Sequence, residues 1–554
     1  MTKHRSNHHY IDQGITRRKF IGAAAGGSAA LLTGGLTSLL KPTVSAAGFE
    51  FVEATIPQLQ AAMASGMLTS AGLTMGYIKR IQSLNPTLHA VIELNSNAAA
   101  IAASLDNERR AGHVRGPLHG IPILVKDNIA TNDNMQTTAG SLAIYGNKVP
   151  GDSVVIQQLR AAGAVILGKS NLGEWANFRS FIPIFPLAVG WSARGGNTIN
   201  AYDLSYTSWG SSSGSGAGAA ANLCSVAVGT ETDGSITGPS AVENIVGLKP
   251  TLGLVSQDGI IPISHQQDTA GPMARSVTDL AILLGVLQSP VGDYAKFLKR
   301  GALKGAKIGR DIRYFDYSYF GSGIPGDEET VAFAENALSV MHDLGATIVD
   351  VDTGDVFAYT GDEFTALLFE FKAQIAEYLA TLTHTSMRTL ADLIAFDISH
   401  CPEEMPYYGQ EVFELSESTS GDLTDPTYVA ARTHATSTAR AGIDNVIAAG
   451  VDAIVAPHLT NSTGPAVAGY PNLSLPVGIR DSGRPAGMLM YSTALREAQL
   501  IGFGYDLEQE LNVRAQPQFL GSIIPLPNAG ICEGLPKKPH VFKGKAHLPH
   551  GRIF

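Results

Sequence analysis

The chain has 554 residues, with 44% hydrophobic and 16% charged content, enough apolar material for a large buried core. Its net charge of −10 gives no electrostatic footprint for nucleic acid. Three cysteines, Cys224, Cys401 and Cys532, are too few and too scattered for a disulfide framework or a zinc site.

In chain order, the first feature is a targeting segment. Thr16-Arg17-Arg18-Lys19-Phe20-Ile21 is a twin-arginine pattern, an uncharged stretch runs over 21–40, and Val44-Ser45-Ala46 supplies a small-residue cleavage site. The stretch is about as long as a bilayer-spanning helix. Its dilution by glycine, serine and threonine, and its end at Lys41-Pro42, favour a cleaved signal over an anchor. Cleavage after residue 46 removes Lys3, Arg5, Arg17, Arg18, Lys19 and Lys41 against Asp12, so the charge moves from −10 to about −15. The expectation is an acidic protein, periplasmic or secreted, with no membrane association after cleavage.

From Thr55 the pattern turns helical. Thr55 can cap, Pro57 sits in the first turn, and Leu59, Met63 and Met67 share a face. Further helices are predicted through Tyr77 and Ile81 and over 98–110, 154–162, 277–287, 329–344 and 430–449. Apolar strands are predicted over 121–126, 164–167, 225–228, 307–312, 347–351 and 453–456. Alternating helices and fully apolar strands predict an α/β domain over 47–516, a large twisted mixed sheet covered by helices on both faces. Residues 517–554 are Pro-rich and then basic, a tail expected to wrap the surface.

The strand over 121–126 ends on Lys126. A buried lysine is costly unless neutral or paired, so Lys126 is either a base with a lowered pKa or a cation tethered to a carboxylate such as Asp127. Farther on, Gly210-Ser211-Ser212-Ser213-Gly214-Ser215-Gly216 and Gly229-Thr230-Glu231-Thr232-Asp233-Gly234-Ser235 flank a small-residue helix predicted over 217–222. A serine on a glycine-buffered turn can bring its Oγ and nearby N–H groups to one small volume, as attack on a carbonyl requires. Gly210 to Gly214 also fits G-x-S-x-G, which would make Ser212 a nucleophile served by His434 or His458. Gly163 to Ser170 fits the phosphate-loop pattern G-x-x-x-x-G-K-[ST], but its variable positions are themselves the predicted strand, so it is a chance match. No H-E-x-x-H and no dinucleotide fingerprint is present. The apolar run Phe181 to Val189 reads equally as a wall of a substrate cleft or as core packing.

Several of these segments together resemble the amidase signature family, and within it bacterial peptide amidases, over about 55–510. The likeness is densest in Gly120-Ile121-Pro122-Ile123-Leu124-Val125-Lys126-Asp127-Asn128, in Gly168-Lys169-Ser170-Asn171-Leu172-Gly173-Glu174-Trp175-Ala176, and from Gly210 through Met273. The resemblance implies a Ser-Ser-Lys triad of Lys126, a bridging Ser211 that follows a cis peptide, and the nucleophile Ser235. It also implies an oxyanion hole of the backbone N–H groups of Thr232, Asp233 and Gly234 with that of Ser235. This chain departs from the family's G-G-S-S-G-G-S in having Trp209-Gly210 before the serine pair and Ser213-Gly214-Ser215 after it. The implied activity is hydrolysis of C-terminal peptide amides through an acyl-enzyme, releasing ammonia, with no metal or organic cofactor. The alternatives are a general aliphatic or aryl amidase and a protein like the A-subunit of glutamyl-tRNA amidotransferase.

Overall fold

The computed structural model describes residues 48–182, 187–316 and 328–533. The targeting segment of residues 1–46 and the basic end of the tail, 534–554, lie outside the described residues, as do 183–186 of the apolar run.

Among the described residues thirteen strands occur in chain order: β1 Val91–Leu94, β2 Pro122–Lys126, β3 Val165–Ser170, β4 Trp191–Ser192, β5 Gly196–Asn197, β6 Val226–Glu231, β7 Val246–Lys249, β8 Thr269–Ala274, β9 Lys307–Asp311, β10 Thr347–Val351, β11 Ala453–Pro457, β12 Asn472–Ile479 and β13 Pro485–Tyr491. Eleven form one mixed sheet in the order β1-β3-β2-β6-β8-β7-β12-β13-β11-β9-β10, and β4 pairs with β5 alone. β2 runs parallel to β3 and β6, and β9 runs parallel to β10 and β11; the other pairings are antiparallel. Strands β2, β3, β6, β7 and β8 are buried along their whole length, which explains sequences that are apolar or small except for Lys126, Lys169, Glu231 and Lys249 at or next to their carboxyl ends. Edge strand β10 has only exposed and half-buried residues.

Helices cover both faces. Pro476 pairs with Gly487 and Leu475 with Met488, so Gly487 and Leu475 look to opposite sides of the sheet. On one side the helix Thr237–Val242 sets Ala241 2.8 Å from the point a Gly487 Cβ would occupy. On the other, the helix Glu497–Leu511 brings Gly504 against Leu473 and Leu475. A second apolar core, with Trp175, Phe178, Phe371, Tyr378, Phe396 and Phe413, lies under the helices Thr360–Thr381, Leu390–Ser399 and Glu411–Ser418. We refer to these helices and Pro426–Ala448 as the cap.

The helices at Ala98–Arg110 and Val277–Leu287 have the expected bounds, and Thr55 closes a capping box with Gln58 at the start of Ile56–Ala64. Several elements run longer than expected, among them two at the serine-bearing half of the sheet. The helix expected over 217–222 is Ser213–Ala220, because the serine-glycine run is itself helical: a Cβ on Gly214 would lie 2.2 Å from Ala90 O, so its glycine serves close packing rather than a flexible loop. β3 likewise continues through Gly168, where the neighbouring Glu93 O approaches to 2.5 Å of a notional Cβ.

The reading of the cysteines needs correction. Cys401 and Cys532, 131 residues apart, form a disulfide. Wide spacing hid a pair that the fold brings together, since the C-terminal segment doubles back across the molecule. Phe519 N–H donates to Ala201 O at 3.2 Å, Leu520 N–H to Tyr202 O at 2.9 Å and Ala529 N–H to Pro406 O at 2.9 Å. Among the described residues, no helix is long and apolar enough to cross a membrane.

Candidate active site

Parallel pairing of β2 between β3 and β6 delivers Lys126 to the carboxyl end of the sheet, fully buried. Its Nζ lies 2.7 Å from Ser211 Oγ, 2.9 Å from Ser212 Oγ, 2.9 Å from Thr230 Oγ1 and 3.1 Å from Thr230 O. No carboxylate is among these partners. Asp127 instead pairs with Arg194 Nη1 at 3.1 Å and accepts from Thr138 Oγ1 at 2.6 Å. The tether alternative therefore falls. Burial pulls the amine down to about 7, against the opposing charges of Asp268 and Glu231. At neutral pH a large share of Lys126 is uncharged.

Ser211 follows a cis peptide from Gly210 and is fully buried. Gly173 N–H donates to Ser211 O at 3.0 Å. A Cβ on Gly210 would lie 2.7 Å from both Asn177 Nδ2 and Val189 O, so this turn admits only glycine. Next to it, the Ser212 hydroxyl is saturated: it donates to Thr230 O at 3.0 Å and accepts from Thr230 N–H at 3.1 Å and from Lys126. Ser212 O–H therefore braces the lysine and is not free to attack. The nucleophile-elbow alternative fails on its partners as well. His434 is exposed and bound to Asp362 at 2.6 Å, and His458 is buried with Nδ1 against Gly487 N–H at 3.4 Å. No strand leads into Gly210.

Ser235 reaches the same place from β6. Ser212 N–H donates to Ser235 O at 3.1 Å, which ties the two serine segments side by side. Unlike Lys126 and Ser211, Ser235 keeps 7% of its surface exposed. Gly234 turns the chain with φ +73°, and Glu231 then caps the helix Thr237–Val242 by accepting from Ile236 N–H at 2.7 Å and Thr237 N–H at 2.8 Å. Between these fixed points, the N–H groups of Thr232, Asp233, Gly234 and Ser235 donate to no acceptor among the described residues. Four unspent donors beside a surface-touching hydroxyl can receive an anion.

Residues that the sequence reading missed surround this loop. Thr232 Oγ1 donates to Asp268 at 2.6 Å, and Gln267 Nε2 donates to Thr232 O at 3.3 Å and to Glu363 Oε1 at 2.8 Å. Gln267 accepts from Arg432 Nη1 at 2.5 Å, and Arg432 also forks onto Glu370 at 2.9 and 2.6 Å. The cap is thus wired to the serine loop. Burial raises Asp268 and Asp233 to about 6, and burial with the nearby Asp233 charge raises Glu363 to about 8. Displacements of this kind are common at functional sites, and they arise from contacts that exist only in three dimensions.

The remaining candidates lie elsewhere. Lys169 of the phosphate-loop match sits inside β3 and donates to Ile129 O at 2.5 Å and Thr137 Oγ1 at 3.0 Å, so it cradles nothing. In the apolar run, Ile182, Ala188 and Val189 are buried against Trp191 and Tyr408 as core, whereas Phe181 is exposed. Among the described residues, no group of three or more His, Cys, Asp or Glu side chains could hold a metal ion.

The profile of the amidase family matches residues 72–501. The chain is similar to the crystal structure of the native peptide amidase of Stenotrophomonas maltophilia, with 43% identity, a TM-score of 0.78 and coverage of 85% of this chain and 99% of that one. It is 37% identical to a probable amidase of Arabidopsis thaliana over 85% of this chain and 93% of that protein. It is also 31% identical to the A-subunit of the glutamyl-tRNA(Gln) amidotransferase of Thermosynechococcus vestitus, over 79% of this chain and 94% of that protein.

Proposed function

The chain belongs to the amidase signature family and is a hydrolase of amide C–N bonds; from that premise we propose that it is an exported peptide amidase working through a Ser-Ser-Lys relay. The observation that carries the reading is the 2.7 Å contact between Lys126 Nζ and Ser211 Oγ in a pocket that gives the amine no carboxylate partner. Neutral Lys126 takes the proton of Ser211, and Ser211 takes that of Ser235. Ser235 Oγ then attacks the amide carbon, and the oxyanion settles among the N–H groups of Thr232 to Ser235. Ser211 returns a proton to the departing nitrogen, which leaves as ammonia. Water cleaves the ester by the same relay in reverse, freeing a carboxylate.

The choice of C-terminal carboxamides as substrates draws on the likeness to the S. maltophilia peptide amidase over nearly all of that chain. The acidic side chains Asp233 and Asp268 around the loop, raised only to about 6, also favour an uncharged carboxamide over the carboxylate it becomes. Export rests on the twin-arginine pattern of residues 16–21, and a Cys401–Cys532 disulfide suits an oxidising destination.

The test is ammonia release from a panel of peptide amides, simple aliphatic and aryl amides and glutamine, with wild type and the Ser235→Ala, Lys126→Ala, Ser212→Ala and His458→Ala variants. Peptide amides turned over best by wild type, and lost in Ser235→Ala and Lys126→Ala, is the expected result. Full activity in Ser235→Ala with loss in Ser212→Ala and His458→Ala would return the elbow mechanism. Glutamine as the sole ammonia source would return the amidotransferase class.

A further inference from the structure

Asn128 follows Lys126-Asp127 in the turn that leaves β2. Main-chain bonds fix it from both sides: Ile129 N–H donates to Lys126 O at 3.0 Å, and Ile261 N–H donates to Asn128 O at 2.9 Å. Its side chain is buried, and Nδ2 donates to Thr230 Oγ1 at 3.0 Å. Oδ1 is buried with no hydrogen-bond partner among the described residues. Leaving an amide oxygen unpaired is costly, so the work of this side chain lies at its other end.

Thr230 Oγ1 is also 2.9 Å from Lys126 Nζ, and the amide and the lysine therefore meet on one oxygen. An ammonium has three N–H groups to place, whereas a free amine has two and keeps a lone pair. Around Lys126, the Ser212 oxygen already receives Thr230 N–H, Thr230 O receives Ser212 O–H, and Thr230 Oγ1 receives Asn128 N–H. Of these neighbours, Ser211 Oγ alone receives no other donor among the described residues. The pocket thus suits a free amine better than an ammonium, with Ser211 O–H left to meet the lone pair. The Asn128 amide adds to this by turning the positive end of its dipole toward the amine.

The carboxylates around the pocket pull the other way. Asp268 and Glu231 both favour a charged Lys126. Neither binds it: Asp268 accepts from Thr232 Oγ1 and from the N–H groups of Ile263 and Ser264, and Glu231 from those of Ile236 and Thr237. Asp127 faces Arg194, Lys169 donates to Ile129 O, and His265 bonds to Gln257 Oε1 at 3.0 Å. Asn128 is the polar side chain set against that pull.

We propose that Asn128 is a positioning residue for the base: acting through Thr230 Oγ1, it holds the Lys126 amine uncharged with its lone pair toward Ser211. The role rests on the relay reading above and holds for any amide substrate.

The experiment measures kcat/KM for ammonia release between about pH 5.5 and 10, with the amide that wild type turns over best. Wild type is compared with Asn128→Asp, which matches the amide in shape and brings a negative charge. A second variant, Asn128→Leu, keeps the volume and removes the donor. The midpoint of the acid limb should rise by about one pH unit in Asn128→Asp and by about half a unit in Asn128→Leu. Asn128→Asp should then lose about tenfold at about pH 6 and return to within a few-fold of wild type at about pH 9.5. A purely structural role would scale the whole profile and leave its midpoint in place, since the midpoint does not depend on how much of a variant folds. Unmoved midpoints in both variants, or no recovery of Asn128→Asp at high pH, would overturn the role and leave the relay intact. A wild type with a flat profile over about pH 5.5 to 8 overturns the relay, and the role of Asn128 with it.

Discussion

Around Lys126 every polar neighbour is a hydroxyl or a main-chain carbonyl, and all of them come from β6 or from the serine turn before the helix Ser213–Ala220. On the cap side, by contrast, the ion pair of Arg432 and Glu370 meets Gln267 and Glu363, side chains drawn from three separate stretches of chain. The two regions touch at Thr232, whose carbonyl accepts from Gln267 and whose hydroxyl donates to the adjacent Asp268. A neutral, hydroxyl-lined pocket lets a lysine give up its charge cheaply, which is what a base needs. A paired ionic network does the reverse, since it holds its charges in place and fixes geometry rather than moving protons. Chemistry thus belongs to the first region and shape to the second.

Substitutions can break that division. Ser235→Ala and Lys126→Ala should each lower kcat for ammonia release by roughly 10³-fold or more with little change in melting temperature. Retention of more than a tenth of wild-type kcat in either would remove the chemistry from this pocket. Glu370→Ala should behave oppositely. It strands the 11%-exposed Arg432 side chain, and a loss of about 3–5 kcal/mol in urea unfolding is expected, with kcat per folded molecule within a few-fold.

The tail offers a second structural test. Replacing Cys401 and Cys532 together by serine should cost about 2–4 kcal/mol of stability by opening a 131-residue loop, read as an earlier denaturation midpoint in non-reducing buffer. A midpoint unchanged from wild type would mean the strap adds nothing.

Smaller effects sharpen the picture of the lysine. Because the working form is the neutral amine and its pKa is lowered to about 7, kcat/KM should fall with pH below 7, approaching tenfold per unit, and level off above. A flat profile between about pH 5.5 and 8 would rule out Lys126 as the titrating base. Ser212→Ala removes a brace rather than a reactant, so a loss of about tenfold is expected, in line with one hydrogen bond to a neutral amine.

Much of the first region was legible because its signals are local. A lysine ending an apolar strand and a glycine turn before Ser235 are both written in short segments. The role of Ser212 was not legible, because three adjacent serines look alike until donors and acceptors are counted around Thr230. The helices Thr360–Thr381, Leu390–Ser399 and Glu411–Ser418 went unread, since their apolar faces pack on Trp175 and Phe178 from a distant part of the chain. The Cys401–Cys532 pairing was missed for the same reason.

By itself the sequence determined the α/β class, the buried strand with its terminal lysine and the two serine-bearing turns, because backbone periodicity and glycine sterics act over a few residues. Only the tertiary structure decided that Lys126 pairs with hydroxyls rather than Asp127, that Ser212 is spent on Thr230, and that Gln267 and Glu363 reach the serine loop. Those outcomes depend on which groups exclude water from one another across the fold, and desolvation is a property of the assembled pocket rather than of any segment.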